Sequence, residues 1–239
     1  MTKLLDKIRK YKDAVCMQTA YTWKIPALEK NIFSDDDIMA IKQNGTVYEA
    51  NICLKSIIKE KTNGNYCDND LNFWIINSWG HIPGFKRIDK NEKKIVEFKK
   101  QLDGKQLSRE MFSTISSLSK ISAFVEPYEY AIYDARVTFS LNCLIMKTEN
   151  ERFFPMPTTR NTKLKKVDLE NVILSKYKPD SFYNYREAYF VFCDLIKELS
   201  IELYGQQAPL YHLEMLLFSI AVSKNFLDDI ESQKIWKSH

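Results

Sequence analysis

Glycine and proline are scarce, six and seven in 239 residues. Turn-rich sandwiches and barrels need more of both, so their scarcity favours helices. The five cysteines (Cys16, Cys53, Cys67, Cys143 and Cys193) are odd in number, widely spaced and never form a CxxC pair. Neither a disulfide framework nor a structural zinc or iron–sulfur site is expected from them. Three histidines in the whole chain argue against a His-rich metal centre. No metal and no cofactor is therefore expected. No apolar run reaches the roughly 18 residues of a membrane-spanning helix, so no membrane partner is expected. The opening Met1–Thr2–Lys3 is too charged for a secretory signal, which points to a protein of the reducing cytoplasm.

What is present is a large apolar fraction, 45%, with 13% aromatic residues, the composition of a folded globule. The net charge of +4, from 35 basic and 31 acidic residues, permits nucleic-acid binding without demanding it. The reading is an all-α, multi-helix protein of one domain. It divides into an N-terminal lobe over 1–107 and a core over 108–239, two helical lobes flanking a cleft. Oligomeric state is not legible in the sequence.

Periodicity places the helices. Leu4, Leu5, Ile8 and Tyr11 give an amphipathic opening helix. Ser34 caps a helix whose first turn is Asp35–Asp36–Asp37. That triplet has the form of a cation site, but first-turn acids matched to the helix dipole are the ordinary explanation. A helix is expected from Val47 to Ile58, and Asp70 is expected to cap a run holding Trp74 and Trp79, both read as core in preference to base-stacking platforms, with Trp79 kept as a stacking candidate. The lysine-rich stretch Asp89–Lys105 reads as a helix with Ile95, Val96, Phe98 and Leu102 inward and its lysines in solvent.

From Ser108 a single helix to about Val125 is expected, with Met111, Phe112, Ile115, Leu118, Ser122 and Val125 on the buried stripe. Ser113, Ser116, Ser117 and Lys120 occupy the opposite face. A neighbouring backbone could approach it closely, or it could simply face water. After Pro127, an extended run from Tyr130 to Tyr133 delivers Asp134 to the start of the next helix. By position Asp134 is an N-cap. Two helices and a short connection thus bring a lysine and an aspartate together.

Further on, Phe153–Phe154–Pro155–Met156–Pro157 reads as a loop. It leads through Arg160 and Asn161 into Lys163, Lys165 and Lys166, a basic cluster beside aromatics that suits phosphate or base contacts. Helices are expected over Asp168–Lys176, Asp180–Tyr204 and Pro209–Ser223, followed by a last one to the C-terminus. Glu214 falls on the inward stripe, where a carboxylate needs a partner; Arg136 or Arg160 would serve.

Ser119–Lys120, Pro127 and Tyr130–Ala131–Ile132–Tyr133–Asp134–Ala135–Arg136–Val137 together resemble the short bacterial proteins of 8-oxoguanine-DNA-glycosylase-like fold. These are distant relatives of the helix-hairpin-helix Gly/Pro-Asp glycosylases. Phe154–Pro155–Met156–Pro157 with Arg160–Asn161, and Glu214–Met215–Leu216–Leu217–Phe218, resemble the same group's later blocks. The likeness spans residues 108–222.

It implies a DNA glycosylase, with or without lyase activity, excising an oxidised or otherwise modified base from duplex or single-stranded DNA. Lys120 would match the nucleophile and Asp134 the catalytic aspartate. Arg136, Arg160, Asn161, Lys163, Lys165 and Lys166 would meet nucleic acid, Tyr133 and Phe153 would stack on the base, and Glu214 would support the site from behind. Two other readings stay open: a non-catalytic nucleic-acid-binding protein on the same scaffold, and a helical protein-interaction module.

Overall fold

A computed structural model describes residues 2–148, 152–159 and 161–232, without the side chains of Lys166 and Ser232. Among the described residues the fold is all-helical, and the sole β feature is an isolated parallel bridge between Phe153 and Phe182. The amino-terminal part holds α1 (Thr2–Ala14), α2 (Met17–Ala20), α3 (Asp35–Lys42), α4 (Val47–Thr62) and α5 (Asn69–Phe73), which continues into a π-helical turn, Trp74–Trp79. Then come α6 (Asp89–Asp103), α7 (Arg109–Ser113), α8 (Ile115–Val125) and α9 (Ala135–Met146). The remainder comprises α10 (Thr162–Val167), α11 (Leu169–Lys176), α12 (Ala188–Tyr204), α13 (Tyr211–Ile220) and α14 (Lys224–Ser232).

Local chemistry accounts for many of the boundaries. The buried residues of α1 are the four that its periodicity marks. The Ser34 hydroxyl accepts from Asp37 N–H while the Asp37 carboxylate accepts from Ser34 N–H, so the acidic triplet opens α3 as a capping box. Asn63 ends α4 in the left-handed conformation (φ 44°), one turn beyond the expected stop. The cap of α5 is Asp68, accepting from Leu71 N–H, and not Asp70, which instead pairs with Arg87.

Other expectations need correcting. Val96 is 56% exposed, because only Ile95, Phe98 and Leu102 of α6 face the core. The long helix from Ser108 breaks at Thr114 (φ −114°, ψ 14°), where the Thr114 hydroxyl bonds back to the Met111 carbonyl and competes with the helical ladder. The basic cluster at 163–166 sits on α10, which Asn161 caps, instead of in a loop. Helix α12 begins at Ala188, eight residues late, since Ser181–Tyr183 is held to Phe153 by two backbone bonds.

Two apolar clusters meet at α8. The larger gathers α1, α6, α9, α12, α13 and α14, and draws Leu118, Ile121 and Val125 from α8. The smaller gathers Ile32, Phe33, α4 and the π-helical turn, and takes Ala123 and Phe124. With clusters on both sides, α8 has no free face from Leu118 onward, and Lys120 is only 6% exposed. Of the polar face, Lys120 thus meets other parts of the protein instead of water, while Ser116 and Ser117 are half-buried and Ser113 is exposed.

Candidate functional site

Lys120 and Asp134 line one cavity of about 230 Å³, bounded also by Tyr21, Trp23, Trp79, Arg136, Glu214 and Phe218. Three devices hold the pair. Asp134 caps α9: its Oδ1 accepts from the N–H groups of Arg136 and Val137, both at 2.9 Å. Among the described residues Oδ2 has no hydrogen-bond partner, so one carboxylate oxygen is fixed and the other is left to the cavity. The residues on either side of the pair are tied together, because Ser119 Oγ accepts from Tyr133 N–H at 3.0 Å. One turn behind Lys120, the Ser116 carbonyl accepts from its Nζ.

The stem of Lys120 crosses bare backbone. A Cβ on Gly80 would lie 2.8 Å from Lys120 Cδ and 2.5 Å from the Ile76 carbonyl, so only glycine leaves the trough open. Gly80 reaches that point because the chain before it is wound as a π-helix, closed by a Gly80 N–H to Ile75 carbonyl bond of 2.8 Å.

The aromatic wall is pinned by hydrogen bonds. Trp23 Nε1 donates to the Trp79 carbonyl (2.9 Å), Trp79 Nε1 donates to Asn51 Oδ1 (2.8 Å), and Asn51 Nδ2 donates to the Trp23 carbonyl (2.9 Å). Phe218 stands perpendicular to Trp23, with centroids 5.5 Å apart. The Arg136 guanidinium lies 4.5 Å from the centre of the Phe218 ring.

Glu214 does not pair with Arg136, and Arg160 lies outside the described residues. Its partner is Lys55, fully buried on α4, whose Nζ is 3.4 Å from Glu214 Oε1. Glu214 Oε2 accepts from Ile132 N–H at 2.9 Å, gripping the run that leads to Asp134. Burial pulls both members toward neutrality, and each is opposed by the charge of the other. Burial likewise lowers the pKa of Lys120 below its ordinary value, against the opposing pull of Asp134 and Glu214 and with help from Lys55.

Tyr133 and Phe153 are not positioned to stack on a base, since both are fully buried in the larger apolar cluster. Tyr133 OH donates to the Pro155 carbonyl (2.7 Å), and Asn142 holds both the N–H and the carbonyl of Phe154. These bonds anchor the 153–157 loop, whose continuation brings Thr158, Thr159 and Asn161 to the cavity. Asn161 spends its side-chain oxygen on capping α10. Lys163 and Lys165 are exposed on α10, and neither lines the cavity; the side chain of Lys166 lies outside the described residues.

Tyr21, Trp23, Gly80, Phe218, Lys55 and Ser119 complete this arrangement and escaped the sequence reading as site residues. Of these, only Lys55 carried a usable signal: it sits among Asn51, Leu54, Ile58 and Thr62 on the buried stripe of α4. Among the described residues no group of three or more His, Cys, Asp or Glu side chains could hold a metal ion, and no helix is long and apolar enough to cross a membrane. No family model matches the chain, and comparisons with curated proteins and with solved structures return no match.

Proposed function

We propose that this protein is a DNA glycosylase with lyase capacity, using Lys120 as nucleophile and Asp134 as proton acceptor and electrostatic partner. One observation carries the reading: a buried amine and a carboxylate oxygen with no hydrogen-bond partner among the described residues share an aromatic-walled cavity. Its volume of about 230 Å³ is below the range of about 300–1,000 Å³ of sites for drug-sized ligands, which suits a single extruded base.

The chemistry follows from the groups. Desolvation holds the amine toward its neutral, nucleophilic form. Its lone pair forms a bond to the sugar C1′ as the glycosidic bond breaks, and the departing base carries away the bonding electrons and takes up a proton. Asp134 Oδ2 accepts the proton that the attacking amine loses and stabilises positive charge on the sugar. Opening of the sugar ring then gives an imine between Lys120 and C1′. Loss of a C2′ proton next expels the 3′ phosphate, which is the lyase step. Trp23, Trp79 and Phe218 supply apolar surface for the base. Arg136 at the rim, with Lys163 and Lys165 on α10, would meet backbone phosphates of duplex or single-stranded DNA in the cytoplasm.

Borohydride trapping tests this on duplexes and single strands carrying oxidised, deaminated or hypermodified bases, or an abasic site. A covalent adduct at a modified base, absent in Lys120→Gln and strongly reduced in Asp134→Asn, is expected. Neither adduct nor base release on any substrate would refute the enzyme. Binding that weakens steeply with salt would then remain as the signature of a non-catalytic nucleic-acid-binding protein.

A further inference from the structure

Lys55 touches neither the cavity nor solvent, yet a fully buried ammonium is too costly to be incidental. Its Nζ lies 4.7 Å from the centre of the Phe124 ring and 5.5 Å from those of Trp79 and Tyr211. Among the described residues these rings and one carboxylate are the contacts of its ammonium. That carboxylate, Glu214, lines the cavity and also grips Ile132, two residues before Asp134. Trp79, whose ring centre lies 5.5 Å from the same ammonium, is a cavity wall and immediately precedes the glycine under the Lys120 stem. A single buried cation therefore contacts two of the residues that wall the proposed reaction site.

We propose that Lys55 and Glu214 form a charge clamp that positions the Asp134 approach and sets the protonation of Lys120, with Lys55 as a positioning residue that never reacts. The inference rests on Lys120 being the reacting amine. Its logic is electrostatic competition. The charged groups facing Lys120 are Asp134, Glu214 and Lys55, with Arg136 and the phenol of Tyr21 also on the cavity wall. Left to itself, Glu214 would stabilise a second positive charge beside it and keep Lys120 an inert ammonium. Lys55 occupies that carboxylate first. The clamp thus lets the protein retain the Glu214–Ile132 bond, which fixes geometry, without raising the basicity of the nucleophile.

The two halves of the clamp therefore act on Lys120 with opposite sign. Removing Lys55 takes away a nearby positive charge and frees Glu214 to act on Lys120, so the midpoint for deprotonation of Lys120 rises. Removing the charge of Glu214 withdraws a stabiliser of the Lys120 ammonium, so the midpoint falls. A purely structural role for the pair would give no such opposition, because both losses would only loosen the fold.

The test reads the amine without any nucleic acid. Full-length protein is treated with formaldehyde and cyanoborohydride across a pH series, and methylation of Lys120 is followed by peptide mass spectrometry. Lys55→Met should move the labelling midpoint up by about one pH unit, Glu214→Gln should move it down by a similar amount, and the double variant should return it close to that of the unaltered chain. Glu214→Gln is nearly isosteric and can still accept from Ile132 N–H, so it carries the test alone if Lys55→Met fails to fold. An unmoved or raised midpoint in a folded Glu214→Gln overturns the clamp. Because no DNA enters the measurement, opposed shifts together with neither adduct nor base release on any substrate would sink the glycosylase reading and leave the clamp standing. Successful trapping with unmoved midpoints would do the reverse.

Discussion

Replacing Gly80 with alanine probes the trough beneath Lys120, and its cost can be worked out from distances. The new Cβ would sit 2.5 Å from the Ile76 carbonyl, 3.0 Å from that of Ile75 and 2.8 Å from Lys120 Cδ, against an ordinary separation of about 3.5–4.0 Å. Neither carbonyl is free to swing aside: Ile75 O holds Gly80 N–H and Ile76 O holds Ile82 N–H. Overpacking of this kind costs about 1–3 kcal/mol, and the loss of glycine's freedom in the unfolded chain returns about 0.4–1 kcal/mol. A net destabilisation of about 1–2 kcal/mol should lower the melting temperature by about 2–8 °C in a protein of this size. The one atom able to yield is Lys120 Cδ, so the amine moves. A displacement of about 1 Å in a reacting group costs about 10²-fold in rate, well beyond what partial unfolding explains at 25 °C. Differential scanning calorimetry and borohydride trapping on a common substrate read the two effects. Gly84→Ala, where a Cβ meets nothing within 4 Å, is the control and should stay within about 0.5 kcal/mol of the unaltered chain. A Gly80→Ala variant that melts with the control and traps at full rate would refute the trough.

Asp134→Ala removes a helix cap and should cost about 0.5–2 kcal/mol in urea denaturation, whereas Asp134→Asn should retain most of the stability and still lose trapping; equal losses of both properties in both variants would reduce Asp134 to its cap. Ser119→Ala leaves the buried Tyr133 N–H without an acceptor and should cost about 1–3 kcal/mol by the same assay; a cost near zero would mean that the α8 bond to the Asp134 approach does not matter. Burial lowers the Lys120 pKa, so trapping rate should rise with pH through a midpoint below the ordinary lysine value of 10.5, and a midpoint at or above that value would contradict the desolvated amine. The same shift makes the unfolded chain bind more protons than the folded one above the folded-state pKa. The contribution of Lys120 to stability therefore increases with pH up to the unfolded value, which Lys120→Met should flatten in a pH series of denaturation curves.

The parts of this arrangement that sequence made legible are those fixed by neighbours in the chain. Asp134 as a cap and Ser34 as a capping-box residue need only the next three residues to declare themselves. The amphipathic stripe of α1 is likewise local. What escaped was decided at long range. Tyr133 as a stacking ring comes from the glycosylase resemblance alone, but adjacent residues on an extended run face opposite ways, and its ring lies in the core. Glu214 was correctly seen to need a cation, yet Lys55 is 159 residues away in sequence, beyond any spacing rule. Val96 has the right polarity for the core and the wrong phase. Trp23 lies in a stretch without periodicity, and its place in the cavity wall follows from Asn51 and Trp79.

The π-helical turn at Trp74–Trp79 carries one more residue per closed ring than an α-helix would. Deleting one residue between Ile75 and Gly80 would turn the bond from Gly80 N–H to the Ile75 carbonyl into an ordinary α-helical one, with the chain beyond it left in nearly the same phase. An insertion would find that slack already used. Winding the added residue as α-helix would rotate everything beyond it by about 100°, carrying Trp79 from Asn51 and Gly80 from beneath the Lys120 stem. The site is thus more sensitive to lengthening than to shortening of a segment that contributes only its last side chain to the cavity wall.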